Sequence, residues 1–267
     1  GNLSVNSGTV NLNSGVAYSL GGAISVSGGT ASFNTSLGAI APSSIAISGG
    51  TINFDNSFTL PQLTQTGGTL GGTGNVTLSG TGSTWSSGTI EGGGTLSIGG
   101  GASLNMNTAG DKFLSGRTIN VASTGSLILS GGGRVLNNAV NTVNNSGLFD
   151  IQGNNNWVNN ASGPTTFNNL AGGAFNRSSG AGTASFTGVA LNNAGAVNVQ
   201  TGTLQIGQGG TDIGAYNISG SATMLFDGGT RNINSSATFT GAGNLSVNSG
   251  TVNLNSGVAY SLGGAIS

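Results

Sequence analysis

The chain has 267 residues, of which 53 are glycine and only 4% are charged, and its formal net charge is −1. A composition rich in Gly, Ser, Thr and Asn disfavours helices, because these residues lower helix propensity. The near-neutral charge lacks the basic patch of nucleic-acid-binding proteins, and no apolar run approaches the roughly 20 residues that span a bilayer. We therefore expect no nucleic-acid partner and no membrane insertion by this segment.

In the first third of the chain, short alternating segments follow Gly-Thr steps. These steps recur about every 18 to 21 residues, a spacing typical of solenoids and repeat arrays, at Gly8-Thr9, Gly29-Thr30, Gly50-Thr51, Gly68-Thr69 and Gly88-Thr89. After each step apolar residues alternate with small polar ones, as in Ile52 and Phe54. Such period-two alternation predicts strands.

A related spacing of about 22 to 26 residues continues through the rest of the chain. It is marked by Gly101, Gly125, Gly147, Gly173, Gly195 and Gly220. Alternating runs follow here too, for example Leu127 with Leu129 and Val197 with Val199. These runs are too short for a self-sufficient hairpin sheet, whereas stacked coils give every strand a parallel neighbour and align the inward apolar residues.

The fold predicted is therefore all-β, a parallel β-helix (β-solenoid) with about eleven coils of roughly 20–26 residues in each long repeat. A β-propeller and a β-sandwich are the alternatives. Their antiparallel hairpins favour Asn-Gly or Asp-Gly turns, and only Asp227-Gly228 has that form.

The long repeat is visible at the two ends of the sequence, since residues 243–267 repeat residues 1–25 letter for letter. We interpret residues 1–242 as one full tandem repeat and residues 243–267 as the start of the next, continuing the same solenoid. Gly243 is then expected to begin the same coil as Gly1, one unit further along a common axis. The next repeat would cover the strand edges that a β-helix exposes at its ends.

Three segments resemble coils of giant bacterial surface proteins, namely Asn192–Gly210 (NNAGAVNVQTGTLQIGQGG), Asn144–Gly153 (NNSGLFDIQG) and Ser48–Asn56 (SGGTINFDN). The resemblance is to filamentous-haemagglutinin-like adhesins and to the β-strand repeats of autotransporter passengers. It covers essentially the whole chain, but it lies in composition and pattern and includes no catalytic motif. It implies a right-handed β-helix of bacterial origin, extracellular or at the cell surface, that serves adhesion, biofilm matrix or cell-to-cell contact.

Little in the sequence indicates catalysis. Without His or Cys, a His-containing triad, a Cys nucleophile and the usual zinc site are excluded. Glu91 and Asp111 lie about one coil apart and would be the carboxylates of a polysaccharide-degrading enzyme. The simpler interpretation is that the charged residues form local surface ion pairs, of Asp111 with Lys112 and Arg117 and of Asp227 with Arg231. Gly209–Gly214 departs from calcium-binding nonapeptide repeats. We predict no catalytic residue, cofactor or metal.

The main functional hypothesis is a structural fibre whose tandem units stack end to end into a rod that bundles laterally, so its partners are further copies of the same repeat. The alternative is an adhesin stalk that binds glycans or another cell surface. Its contacts would lie at Trp157, Asn155 and Asn156 or at the Pro164 turn, although Trp157, like Trp85, Tyr18 and Tyr216, has the simpler role of packing. Ice binding would need a flat threonine face, against which the irregular coil lengths argue.

Overall fold

The computed structural model describes residues 1–14, 18–34 and 41–267, and in these ranges the chain forms only β-strands, most of them short, and turns. Every described strand pairing is parallel and joins a strand to its equivalent one coil earlier or later. The chain thus winds into a β-solenoid of about 12 turns with three faces. The described ranges contain no helix with the length and hydrophobicity needed to cross a membrane.

The first face is a continuous sheet of 13 strands. These strands are Leu3–Val5, Ala23–Val26, Ser44–Ile47, Leu63–Gln65, Ser83–Trp85, Ser103–Met106, Ser126–Leu129, Leu148–Ile151, Ala174–Arg177, Ala196–Val199, Ala215–Ile218, Thr238–Gly241 and Ala259–Leu262.

The second face follows the first in each coil. Its strands are Thr9–Leu12, Thr30–Phe33, Thr51–Phe54, Thr69–Gly71, Gly88–Glu91, Lys112–Ser115, Val135–Asn137, Asn156–Asn159, Thr183–Thr187, Thr203–Gly207 and the first parts of the two long strands Thr223–Ile233 and Asn244–Leu254.

The third face completes the coil. Its strands are Phe58–Leu60, Val76–Leu78, Thr95–Ile98, Thr118–Val121, Thr142–Asn145, Thr165–Asn169, Val189–Asn193, Gly210–Asp212 and the last parts of the same two long strands, which turn the corner between the second and third faces without interruption.

Alternation along these strands builds the core. In Thr51–Phe54, for example, Ile52 and Phe54 are buried while Thr51 and Asn53 are partly exposed. Equivalent inward residues lie above one another from coil to coil, so the core is a narrow column of Val, Ile, Leu and Phe enclosed by the three faces. Burial of this apolar area is the main favourable contribution to folding.

The parallel β-helix predicted from the sequence is confirmed, and the antiparallel alternatives are wrong. Coil length varies beyond the roughly 20–26 residues predicted for a coil. The coil from Ile45 to its partner Leu63 is as short as the shortest Gly-Thr spacing, and the coil from Trp157 to its partner Phe186 is longer than any spacing predicted. The strands stay in register because the turns between faces take up the difference.

The Gly-Thr steps mark one corner of the solenoid. Gly8, Gly29, Gly50, Gly68 and Gly88 lie at the turn from the first face to the second, and all have positive φ, between 60° and 90°. A Cβ on Gly50 would overlap the backbone carbonyl of Gly29 in the coil below. Only glycine combines this conformation with such a close approach of neighbouring coils.

The second series of glycines is only partly a column. Gly125, Gly147, Gly173 and Gly195 precede first-face strands and are linked from coil to coil by backbone hydrogen bonds of the residues that follow them. Gly220 instead precedes the long strand Thr223–Ile233 and so lies at the corner between the first and second faces. Its spacing had suggested membership in the same series, and the structure corrects this.

Candidate interaction surface

The outward side of the third face carries two parallel columns of uncharged polar residues. One column contains Thr95, Thr118, Thr142 and Thr166; the other, two residues further along each strand, contains Ser97, Asn120, Asn144, Asn168 and Asn192. All are partly exposed. The face therefore offers hydroxyl and amide groups at the spacing of a parallel sheet, about 4.8 Å per coil.

The asparagines of the outer column form a hydrogen-bonded ladder. The Nδ2 of Asn144 donates to Oδ1 of Asn120 at 2.9 Å, and Asn168 donates to Asn144 at 2.9 Å. Asn192 donates to Asn168 at 3.0 Å, and its own Oδ1 accepts from the backbone N–H of Thr211. Each amide is held in one orientation by its neighbours.

Two depressions lie one after the other along the corner where the third face turns into the first, and together we call them the groove. They are lined by small residues that follow the third-face strands, Gly99, Ala122, Ser146 and Ala194, and by asparagines of the ladder. Two apolar side chains, Leu170 at 39% and Ile213 at 51% exposure, rise from this corner. They bound the two depressions, of about 360 and 210 Å³.

A second asparagine ladder lies directly inside the same corner. Asn145, Asn169 and Asn193 are buried; the Nδ2 of Asn145 donates to Oδ1 of Asn169, and that of Asn169 to Asn193, both at 2.8 Å. Each of the three also donates to a carbonyl at the start of a first-face strand, for example Asn169 to Ala196 at 3.0 Å. Buried polar groups are stable only when they are satisfied in this way. The inner ladder thus fixes the shape of the corner that carries the groove.

The second face carries a threonine column of its own. Thr9, Thr30, Thr51, Thr69 and Thr89 pair in consecutive coils and point outward. The irregular coil lengths therefore do not prevent a threonine column, but one column is not the flat threonine face that ice binding would need. The turns absorb the variation in length, so the strands keep a common register.

Trp157 and Asn155 lie in the interior, which corrects the surface position predicted for them. Trp157 is 1% exposed and donates its indole N–H to Oδ1 of Asn137 at 3.1 Å, while Asn155 is equally buried. Trp157 forms part of a cluster with Phe149, Phe167, Phe175 and Phe186 in two successive coils. Successive residues of a strand point to opposite sides, so Asn155 and Trp157 face the core while Asn156, between them, faces outward.

Other candidate contact residues divide between surface and core. Asn156 points outward, partly exposed, and its Oδ1 accepts from the hydroxyl of Ser185 at 2.8 Å. Pro164 is exposed. Trp85 and Tyr216 are buried in the core, and Tyr18 is partly buried against it.

The predicted ion pairs of Asp111 are replaced by a different one. Asp111 binds Arg134 in the next coil at 2.5 Å, and this partner lowers the pKa of the Asp111 carboxyl. Lys112 is buried instead, and its Nζ donates to the carbonyls of Thr108 and Gly110. Its pKa is lowered by burial.

Arg117 is also buried rather than paired at the surface. Its guanidinium donates to four backbone carbonyls, those of Gly72 at 2.7 Å, Glu91 at 2.8 Å, Gly74 at 3.1 Å and Thr95 at 3.2 Å. It therefore ties the turns of three successive coils together from inside. The carbonyls that a turn leaves without a strand partner are satisfied by this single side chain.

Arg231 pairs with Asp212 and not with Asp227, the partner predicted for it. The Arg231–Asp212 distance is 2.6 Å with both side chains buried, and Tyr216 lies 3.4 Å from the same guanidinium nitrogen. Burial raises the pKa of Tyr216 well above its ordinary value. Because the Asp212 carboxylate is already bound, the Gly209–Gly214 segment does not present it as a calcium ligand.

Glu91 and Asp111 are not brought together by the coiling. Glu91 pairs with Ser115, which lies four residues beyond Asp111 on the same face. Four residues of extended strand span roughly 13 Å, more than the roughly 5 to 9.5 Å between the carboxylates of glycosidases. Among the described residues no group of three or more His, Cys, Asp or Glu side chains is placed to hold a metal ion.

The repeated segment 243–267 continues the solenoid and reproduces the local contacts of residues 1–25. Leu3 pairs with Ile24, and the equivalent Leu245 pairs with Ile266. Likewise the backbone N–H of Ala23 donates to Oδ1 of Asn2 at 2.9 Å, and Ala265 repeats this bond at the same distance. The two copies thus share these contacts, although residues 244–254 form one continuous strand where the first copy has two, Leu3–Val5 and Thr9–Leu12.

The two copies nevertheless lie on different faces. Leu3–Val5 belongs to the first face, whereas Leu245 and the residues after it pair with Met224–Phe226 on the second. Val10 belongs to the second face and the equivalent Val252 to the third. The expectation that Gly243 begins its coil at the same position as Gly1 is thereby corrected by one face.

Comparison of the chain with protein-family models, with characterised proteins and with solved structures found no match. The fold and the surfaces of the solenoid are therefore the basis for assigning a function.

Proposed function

We propose that this chain is a structural, fibre-forming repeat protein of the cell exterior, whose tandem units stack end to end into a rod. One observation carries the proposal. Residues 243–267 stack in parallel on the preceding coil, and Leu245 pairs with Ile266 as the equivalent Leu3 pairs with Ile24. The start of a further unit therefore stacks on the preceding coil through the same parallel pairing that joins the other coils.

Lateral association of rods is supported by the charge and shape of the surface. The chain has 5 basic and 6 acidic residues, so its formal net charge is only −1. Little long-range repulsion therefore keeps rods apart. The groove corner supplies two exposed apolar side chains, Leu170 and Ile213, beside depressions of about 360 and 210 Å³. We therefore propose this corner as the lateral contact.

Electron microscopy of proteins with one, two and four units tests the fibre. The rod should lengthen by about 54 Å per unit, since each unit comprises about eleven and one third coils at about 4.8 Å per coil. Particles of four units that form compact clusters of separate globules would contradict it.

Bundling is tested separately with a Leu170→Asn/Ile213→Asn double variant of the four-unit protein. It should give single rods where the parent gives bundles. A Val140→Asn variant is the matched control, because Val140, at 53% exposure, is at least as exposed as Leu170 and Ile213 but lies at the corner between the second and third faces. Equal bundling by all three proteins would show that the groove corner is not the contact.

An adhesin that binds glycans is the second candidate, and the groove favours it. Sugars bind through hydroxyl contacts to amides and through apolar contacts with their carbon-bound hydrogens, and the corner offers both in the asparagine ladder and Leu170. A glycan array should then give a signal that an Asn168→Ala/Asn192→Ala variant loses. A signal unchanged by this variant would place the glycan elsewhere, and no signal would remove this candidate.

A further inference from the structure

The face occupied by each copy of the duplicated segment fixes the geometry between units. Starting from Leu3, first-face pairings lead through eleven coils to Phe239. Leu245, the equivalent of Leu3 in the second copy, comes on the face after Phe239. The unit therefore comprises eleven coils and one face, not a whole number of coils.

We propose that in the tandem array each unit begins one face later than the unit before it, so that equivalent surfaces are rotated by about one third of a turn. This inference rests on the proposed function, because it concerns units joined in series. The segment that follows Ser25, Val26–Phe33, is bonded to the strands Leu3–Val5 and Thr9–Leu12. The same segment of a second unit would find the equivalent edge on residues 244–254, turned by one face.

After three such rotations the next unit begins on the same face as the first. Three times eleven and one third is 34 coils, which corresponds to about 163 Å along the axis. Within this length the corner of Leu170 and Ile213 points in three directions, once in each direction. A rod built in this way meets neighbouring rods on all sides, which yields a three-dimensional bundle, whereas units in the same orientation would align one corner along one side and yield pairs or flat ribbons.

Disulfide trapping tests the offset in the single chain, which contains no cysteine of its own. Asn232 and Asn253 are register partners on the third face, and their side chains are 2.8 Å apart. Neighbouring strands bring Cα atoms within the range that a disulfide bridges. An Asn232→Cys/Asn253→Cys variant should therefore cross-link on mild oxidation to more than about nine tenths.

The matched control is Leu225→Cys/Asn253→Cys. Leu225 points outward on the second face, where Asn253 would lie if the repeated segment occupied the faces of residues 1–25. Cross-linking of the control pair and not of the first pair would overturn the proposal. Protease mapping of the oxidised proteins identifies the linked residues, and circular dichroism confirms that both variants retain β-structure.

Cryo-electron microscopy of a protein with three unaltered units provides a test without substitutions. The residues equivalent to Leu3 should lie on the first, second and third faces in the three units. Their location on one face in all units would overturn the offset, even if the rods bundle. Rods that show the offset but remain dispersed would refute bundling and leave the offset intact.

Discussion

Replacing Asn169 by alanine removes the middle member of the buried asparagine ladder, and its neighbour Asn168 provides a control of the same chemistry. Both residues are asparagines on one strand and both link three coils through side-chain amides. They differ in direction: Asn169 is 1% exposed, whereas Asn168 is on the surface. We expect Asn169→Ala to be clearly destabilising and Asn168→Ala to be nearly neutral.

The magnitude follows from the groups left without partners. In Asn169→Ala the buried Oδ1 of Asn193 loses its donor, which costs about 1–3 kcal/mol, and the partly buried Ala196 carbonyl loses a hydrogen bond worth about 0.5–1.5 kcal/mol. Asn145 still donates to Ala174. A water molecule in the vacated space would reduce the cost, so we expect about 1.5–4 kcal/mol. For Asn168→Ala, where water replaces the lost partners, the cost should stay within about 1 kcal/mol.

Urea denaturation followed by circular dichroism gives the change in free energy of unfolding, and amide hydrogen exchange locates it. Because each coil contacts mainly its neighbours, protection should fall most at Ala194, whose N–H bonds to the carbonyl of Asn169, and in the adjoining coils. Equal destabilisation by the two variants would refute the reasoning, since burial would then not distinguish the inner ladder from the outer one.

Other substitutions test the glycine corner and the cations. Gly50→Ala should cost about 2 kcal/mol or more in thermal unfolding, because its φ is positive and a Cβ meets a backbone carbonyl, whereas Gly93→Ala, with open space at Cβ, should be tolerated. Arg231→Met should cost about 3–5 kcal/mol in urea, since it leaves a buried carboxylate unpaired; a neutral effect would contradict this. Arg134→Met should raise the pKa of Asp111 toward its ordinary value of 3.8 in an NMR titration. The ion pair stabilises the folded protein above that pH, and this stabilisation is lost as the pH falls through the lowered pKa. The variant should lack this pH-dependent stabilisation.

Periodicity made the fold predictable. Strand-forming alternation and the Gly-Thr spacing both depend on local sequence, and the glycines at positions such as Gly29 and Gly50 mark a corner that every coil must turn. The inward or outward direction of Trp157 was not predictable, since neighbouring residues on a strand face opposite ways and an asparagine-rich segment gives no alternation from which to choose.

The predicted partners of the charged residues were wrong for a different reason. The predicted ion pairs joined residues a few positions apart, as on a surface loop. In a solenoid the nearest residue in space is one coil away, so Asp111 meets Arg134, 23 positions later, and Asp212 meets Arg231, 19 positions later. The offset of the repeated segment was hidden for the same reason, because whether the long repeat makes a whole number of coils depends on the length of every turn.

The direction of the hydrogen bonds has a mechanical consequence. The bonds between coils run along the rod, so a pull on the two ends of the chain loads them one coil at a time instead of shearing a whole sheet. Each coil that peels off exchanges a rise of about 4.8 Å for about 70 Å of extended chain. Single-molecule stretching should therefore give a series of small, regular extensions at low force, and a fibre of such units would lengthen and dissipate energy under load before it breaks.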